Sequence, residues 1–312
     1  MIKKIGLGLL SFLVLTLAVT FLFYLNFRSE QFDTLVSGSK IANTSAGSIE
    51  YKLVGDTGPV VLFLHGTPGG YDQAEEIAGL RTLAPSRPGY LRTPLSVGST
   101  PVEQAHAYAA LLDALNIKSV VVLGVSGGGP SSISFAALYP ERTLALIALE
   151  AVSQTMPVDE APEMPIFMQS DFLMWVILSM VENFMGSEAI VELLVPDAIN
   201  QELILGNAEK ITRIESLIWS AWPVSKRDAG MTNDFAQFSM LDLASKDVTV
   251  PALIIHGTKD TNVPFSQSVK LADQVPDSVL HEIEGGDHMM PFSHSEEVAM
   301  AIEQFLNHQN IN

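Results

Sequence analysis

The twelve residues Ser119 to Pro130, SVVVLGVSGGGP, restrict the possible folds of this chain more than any other stretch. Val120 to Leu123 are aliphatic without a polar alternation, which is the pattern of a strand buried on both faces. Gly124 and Gly128 stand two residues to either side of Ser126, so the strand can turn hard into a helix without a side chain at the corner. A serine at such a corner is held up at the strand tip, the G-x-S-x-G arrangement of a nucleophile elbow. A strand covered on both faces needs parallel neighbours joined by helical crossovers.

Those neighbours are present. Val60–Leu64 (VVLFL), Arg81–Ala84, Leu144–Leu149 (LALIAL), Pro251–His256 (PALIIH) and Ser278–Ile283 read as further strands, and Ser48–Val54 alternates loosely before a hairpin signal at Gly55-Asp56-Thr57-Gly58. Helices are predicted over Asp72–Leu80, over Pro264–Val275 and over Ser293–Leu306. Another starts at Pro101, with Ala105, Tyr108, Leu111, Leu112 and Leu115 on one stripe. A further one starts at Pro130, packs Ile133, Phe135, Ala136, Ala137 and Leu138, and stops at Tyr139-Pro140. The rhythm predicts an α/β fold: a mostly parallel eight-stranded sheet with helices on both faces. From Ser153 to about Ser245 the rhythm stops, and eight of the 12 methionines and all three tryptophans fall there, with helix-like stretches such as Asp171–Phe184. The expected organisation is a core over 46–152 and 246–312 with a helical cap inserted over 153–245.

Ile5 to Phe27 is an uncharged run of 23 residues, flanked by Lys3, Lys4 and Arg28. At about 1.5 Å per residue such a helix crosses a hydrocarbon layer of about 30 Å. The run exceeds the ~7–15 residues of a signal-peptide core and no convincing A-x-A site follows it, so 1–28 is expected to be an anchor. The basic residues ahead of it predict a cytoplasmic N-terminus and a domain on the outer side; secretion after signal cleavage is the alternative. Residues 29–45, rich in Ser, Gly, Asn and Thr, suit a spacer or a first edge strand.

The 17 basic against 35 acidic residues, a net charge of −18, argue against a nucleic-acid partner. The absence of cysteine removes disulfides, thiolate metal sites and a cysteine nucleophile. No histidine and carboxylate spacing suggests a metal site, and neither metal nor cofactor is expected.

In a parallel sheet, sites form at the carboxyl ends of strands. Ser126 follows one strand, Asp260 follows PALIIH in HGTKDTNVP, and His288 follows the last strand in EGGDHMMPF. A serine hydroxyl needs a base, and His288 is the histidine in the right loop. The imidazole needs a carboxylate behind it, for which Asp260 is the expected acid; Glu150, after LALIAL, and Asp287, beside the histidine, are its competitors. Attack on a carbonyl also requires two backbone N–H groups facing the developing oxyanion. That of Gly127, at a helix start, and that of Thr67, in the loop HGTPGG after VVLFL, are the candidates. His65 and Gly66 let this loop fold close to Ser126, and Pro68 fixes its course.

With HGTPGG, SRPGY, GVSGGGP, HGTKDTNVP and GGDHMMP in order, the chain from about residue 45 resembles the α/β-hydrolase fold family, in its esterase, haloperoxidase-like and proline-iminopeptidase-like branch. The order Ser, Asp, His is that of the family's triads. The loop reads HGTPGG where the iminopeptidases have HGGPG, and a DxRGxGxS pattern is missing around Arg87. The resemblance implies a serine hydrolase acting on a small-molecule substrate, most simply a carboxylesterase for small to medium apolar esters. Amide, peptide, lactone or carbon–carbon bond hydrolysis on the same triad is the alternative, and a non-catalytic binding module of this fold a further one.

Overall fold

The computed structural model describes residues 2–75, 77, 79–156 and 166–311. The chain divides into two units, Met1–Lys40 and Ile41–Asn312. The first is one helix, α1 (Ile2–Ser37), whose best 18-residue window has a mean hydropathy of 2.1, long and apolar enough to cross a membrane by length and composition. It continues past Arg28, because no glycine or proline interrupts 28–37 and Asn26 Nδ2 donates to Glu30 Oε1 one turn on at 2.8 Å. It stops at Gly38, whose N–H closes on Thr34 O at 2.9 Å. Residues 29–45 are therefore helix followed by β1 (Lys40–Thr44), an edge strand rather than a spacer.

The second unit is built on an eight-stranded sheet. After β1 come β2 (Gly47–Val54), β3 (Val60–Leu64) and β4 (Arg81–Pro85), then α2 (Pro101–Ala114), β5 (Val120–Val125), α3 (Gly129–Leu138) and β6 (Thr143–Leu149). Among the described residues five helices follow: α4 (Asp171–Met180), α5 (Ser187–Leu194), α6 (Ala198–Leu205), α7 (Ala208–Trp219) and α8 (Asp228–Phe238). The chain then returns as β7 (Ala252–Gly257), α9 (Ser266–Gln274), β8 (Ser278–Ile283), α10 (Met290–Ser293) and α11 (Ser295–His308). The strand order is β1-β2-β4-β3-β5-β6-β7-β8, parallel from β4 to β8, with β2 antiparallel to β4.

Two expectations differ from this. The turn at Gly55–Gly58 does not close a hairpin, since β2 pairs with β4 and not with the strand that follows it. Among the described residues of 72–80 there is no α-helix: a single 3-10 turn spans Tyr71–Gln73, Ala74 is extended (φ −69, ψ 120), and Ile77 bridges Leu80 across Gly79 at φ +71. Positions 76 and 78 of that stretch lie outside the described residues. Asp72 is tied to Arg227 at 2.7 Å, which holds the turn in place of a helix start. The expected stretch Asp171–Phe184 is α4 followed by one π turn, Val181–Met185.

The apolar runs behave as predicted. Register aligns Leu62, Val122, Leu146 and Ala252 across the sheet, and all four belong to one buried cluster with Ile133 and Phe135 of α3 and Leu111 of α2. The next row, Phe63, Leu123, Ile147 and Leu253, faces the opposite side and packs with Val298, Ile302 and Phe305 of α11. Each fully buried aliphatic side chain contributes about 1.5–3 kcal/mol, so this sandwich fixes the strand ends as a rigid rim. On α2 a capping box between Thr100 and Glu103 sets the helix start. On α3 the predicted face is buried at Ile133, Phe135 and Ala136, whereas Leu138, in the last turn, is 43% exposed.

Candidate active site

Ser126 follows β5 with φ +49, in the left-handed region where a non-glycine backbone is strained. The corner is compact enough to explain its glycines: a Cβ on Gly128 would lie 2.2 Å from Leu64 O, and one on Gly124 2.2 Å from Ser132 Oγ. Gly127 lies in the 3-10 turn Ser126–Gly128 that leads into α3. The loop after β3 folds onto the serine, since a Cβ on Gly66 would touch Ser126 Cβ at 3.3 Å and Oγ at 3.8 Å. A Cβ on Gly127 would lie 2.1 Å from Thr67 Oγ1, so the two residues proposed as oxyanion donors pack against each other.

His288 Nε2 lies 3.1 Å from Ser126 Oγ, and its Nδ1 lies 2.7 Å from Asp260 Oδ2. Three loops of the sheet's rim thus meet in one hydrogen-bonded line. Asp260 Oδ1 accepts from the N–H groups of Asn262 and Val263 at 2.8 and 2.9 Å. Its Oδ2 is also 3.1 Å from Nε2 of His256, whose Nδ1 is 2.6 Å from Ser268 Oγ. Burial works against the ionised form of Asp260, but the hydrogen bonds from His256 and His288 outweigh it and hold the carboxyl well below its ordinary range. Of its competitors, Asp287 accepts from Met289 N–H at 2.9 Å and shapes its own loop.

Glu150 is different. It follows β6 at φ +42, is 3% exposed, and its Oε2 has no hydrogen-bond partner. Its carboxyl, Asp260 and His288 form the group, among the described residues, whose donor atoms lie within 4.8 Å of one another and so could hold a metal ion. Two of the three already face each other across the His288–Asp260 hydrogen bond. Burial pushes Glu150 well above the ordinary carboxylate range. Burial opposes the His288 imidazolium, yet Glu150, Asp260 and Asp287 raise the ring to about 9. The push from Glu150 is present only once that residue is ionised.

This carboxyl ties stability to pH with a definite sign. The folded chain keeps a proton that the unfolded chain releases above the ordinary value of 4.5, so stability falls as pH rises from there to the folded-state titration of Glu150. One such proton corresponds to about 1.4 kcal/mol per pH unit. His288 is raised too and acts in the same direction, its contribution complete below 6.5 and lost as the ring titrates above that value. Asp260 acts oppositely and only in acid, below its ordinary 3.8. Glu150→Gln is expected to flatten the decline between pH 5 and 9 in urea unfolding; curves parallel to wild type would contradict this.

The loop residues sit in a second network that the motifs did not reveal. His65, fully buried, accepts the Arg87 N–H at Nε2 (2.9 Å), which leaves Nδ1–H to donate to Gly66 O (2.8 Å). Burial, with the nearby Arg87 charge, holds its pKa well below the ordinary histidine value. Arg87, 1% exposed, pairs with Asp234 of α8, 147 positions away. Arg227, also buried, joins Asp72 to the carbonyl of Gly69. The HGTPGG and SRPGY motifs contain the network's members on the sheet side, His65, Thr67, Arg87 and Tyr90, and nothing in the sequence signalled the partner in α8.

A family model described as the alpha/beta hydrolase family matches residues 61–301. An alpha/beta hydrolase fold protein from Nakamurella multipartita superposes with a TM-score of 0.79 at 32% identity, covering 86% of this chain and 98% of that one. The uncharacterized hydrolase YcgS of Bacillus subtilis is 38% identical over 112 residues, 35% of this chain and 39% of that protein's length. The 2-hydroxymuconate semialdehyde hydrolase of Pseudomonas putida is 26% identical over 225 residues, 70% of this chain and 73% of that protein.

Proposed function

The chain belongs to the α/β-hydrolase family, and from that premise we propose that it is a serine hydrolase acting on small to medium apolar esters. The observation that carries this is the line Ser126 Oγ, His288, Asp260, at 3.1 and 2.7 Å, under the loop of Gly66 and Thr67. Ser126 Oγ attacks the ester carbonyl while its proton passes to His288 Nε2. The N–H groups of Thr67 and Gly127 receive the negative charge that develops on the carbonyl oxygen. The imidazolium, oriented by Asp260, returns the proton to the leaving alcohol, and the acyl group stays on Ser126. Water then attacks the acyl-enzyme, giving its proton to His288, which passes it to Ser126 as the acid departs.

Carbon–carbon bond hydrolysis on the same residues is the second reading, favoured by the likeness to the 2-hydroxymuconate semialdehyde hydrolase. The test is a rate comparison between p-nitrophenyl esters of two to eight acyl carbons and a ring-fission dienoate. A fluorophosphonate probe reports the serine independently of substrate. Esters hydrolysed with a labelled serine support the first reading; labelling with turnover of the dienoate alone supports the second. A protein that neither labels nor hydrolyses belongs to the binding-module class.

The helices α4 to α8, over 153–245, are assigned to a cap on the 46–152 and 246–312 core; 157–165 lie outside the described residues. Helix α1 is assigned as a membrane anchor with its N-terminus in the cytoplasm, on the strength of its apolar window and the basic residues before it. Resistance of the membrane-bound protein to alkaline carbonate extraction would support this, and release into the soluble fraction would contradict it.

A further inference from the structure

Arg87, Tyr90 and Asp234 are buried together, 1%, 0% and 3% exposed, and the half-buried Thr67 reaches them with its hydroxyl. Arg87 donates from Nη1 to Asp234 Oδ1 at 2.9 Å and from Nη2 to Oδ2 at 2.5 Å, a two-pronged pair. Tyr90 Oη donates to the same Oδ2 at 2.5 Å, as does Thr67 Oγ1 at 2.5 Å. The guanidinium also reaches three successive residues of the loop after β3: His65 O at 2.8 Å, Gly66 O at 3.3 Å and Thr67 Oγ1 at 3.0 Å. Burial opposes the Arg87 charge, but the facing Asp234 carboxylate more than offsets it and raises the guanidinium above its ordinary value.

We propose that Asp234, carried by α8, is a positioning residue for the oxyanion loop: held by Arg87 and Tyr90, its carboxylate fixes the Thr67 hydroxyl and with it the backbone that faces Ser126. The inference rests on the serine-hydrolase reading and adds to it a control exerted from outside the sheet. The plain alternative is that the network only fastens α8 to the core. The Arg87–Asp234 pair would do that alone, without the threonine. Thr67 Oγ1 instead sits against Gly127, where no side chain would fit, so its placement sets the spacing between the two proposed donors. Displacement of such a donor by a fraction of an ångström weakens transition-state stabilisation more than substrate binding.

The decisive variants are Thr67→Val, which removes the hydroxyl and leaves the ion pair, and Thr67→Ser, which restores it. Kinetics on p-nitrophenyl acetate, the rate constant for fluorophosphonate labelling and the thermal midpoint are measured for each, on the full chain. Thr67→Val is expected to lower kcat and the labelling constant about 10- to 100-fold with KM within about threefold, less than the ~10²–10³ seen when a donor is lost outright. Thr67→Ser is expected to keep at least about half of kcat. Asp234→Asn should fall in the same direction; should that variant fail to fold, the threonine pair still decides. Wild-type rates in Thr67→Val, even with a lowered midpoint, or equal losses in the valine and serine variants, would overturn the inference while leaving the serine-hydrolase reading intact. A wild-type protein that does not react with the probe would overturn both.

Discussion

Ser126→Ala is expected to lose ester hydrolysis and fluorophosphonate labelling by about 10⁶-fold while remaining folded, the scale on which removal of an activated serine acts. The reason lies in what alanine keeps and what it lacks. It has the same Cβ, so the strained backbone at φ +49 is unchanged, and the neighbouring glycines still fit. It lacks the Oγ that stands 3.1 Å from His288 Nε2. One hydrogen bond of about 1 kcal/mol is lost, which moves the thermal midpoint by roughly 2–4 °C. Retention of more than about 1% of the hydrolysis, measured with the background of the uncatalysed ester subtracted, would remove Ser126 from the mechanism.

The second large effect is on the fold itself. Gly128→Ala places a methyl group 2.2 Å from Leu64 O and 2.8 Å from His65 O, both backbone atoms at the end of β3. The dihedral angles at Gly128 (φ −79, ψ −12) suit alanine, so the whole penalty is steric. Strand β3 is paired on both sides, by β4 and by β5, and cannot retreat alone. The expected cost is about 3–5 kcal/mol, a thermal midpoint lowered by roughly 10 °C, with slower probe labelling because the loop at His65 moves away from Ser126. Gly206→Ala is the control: it lies at the end of α6 with φ −70, and its Cβ meets only Glu202 O at 3.2 Å. There the midpoint should move by no more than about 1 kcal/mol allows. Equal midpoints for Gly128→Ala and wild type would show that the corner has slack that these distances do not contain.

How far the sequence reached follows from which forces act locally. Val120–Leu123, Leu144–Leu149 and Ala252–His256 announce themselves because a strand covered on both faces can carry no polar alternation. Ser126 was legible for the same reason, directly after β5, and Asp260 and His288 because they lie in the loops after β7 and the edge strand β8, at the carboxyl ends of parallel strands. The stretch 72–80 misled because Ala, Glu and Ile look helical in isolation, whereas the buried charge of Arg227 draws Asp72 into a turn. At Gly55–Gly58 the glycines mark a reversal correctly, but which strand β2 pairs with is decided by the sheet as a whole. The Arg87–Asp234 pair was invisible, since a contact across 147 positions leaves no periodicity and Asp234 lies in a helix of mixed polar residues.

That pair also bears on how freely such a chain could exchange parts with its relatives. Arg87 belongs to the sheet's own loops, and its counter-charge is supplied by α8. A chimera that grafts a foreign helical segment between β6 and β7 strands a guanidinium in a dry pocket unless the incoming helix brings a carboxylate to the same spot, a defect of about 3–5 kcal/mol. Any replacement for the segment between β6 and β7 must therefore keep a carboxylate where Asp234 stands.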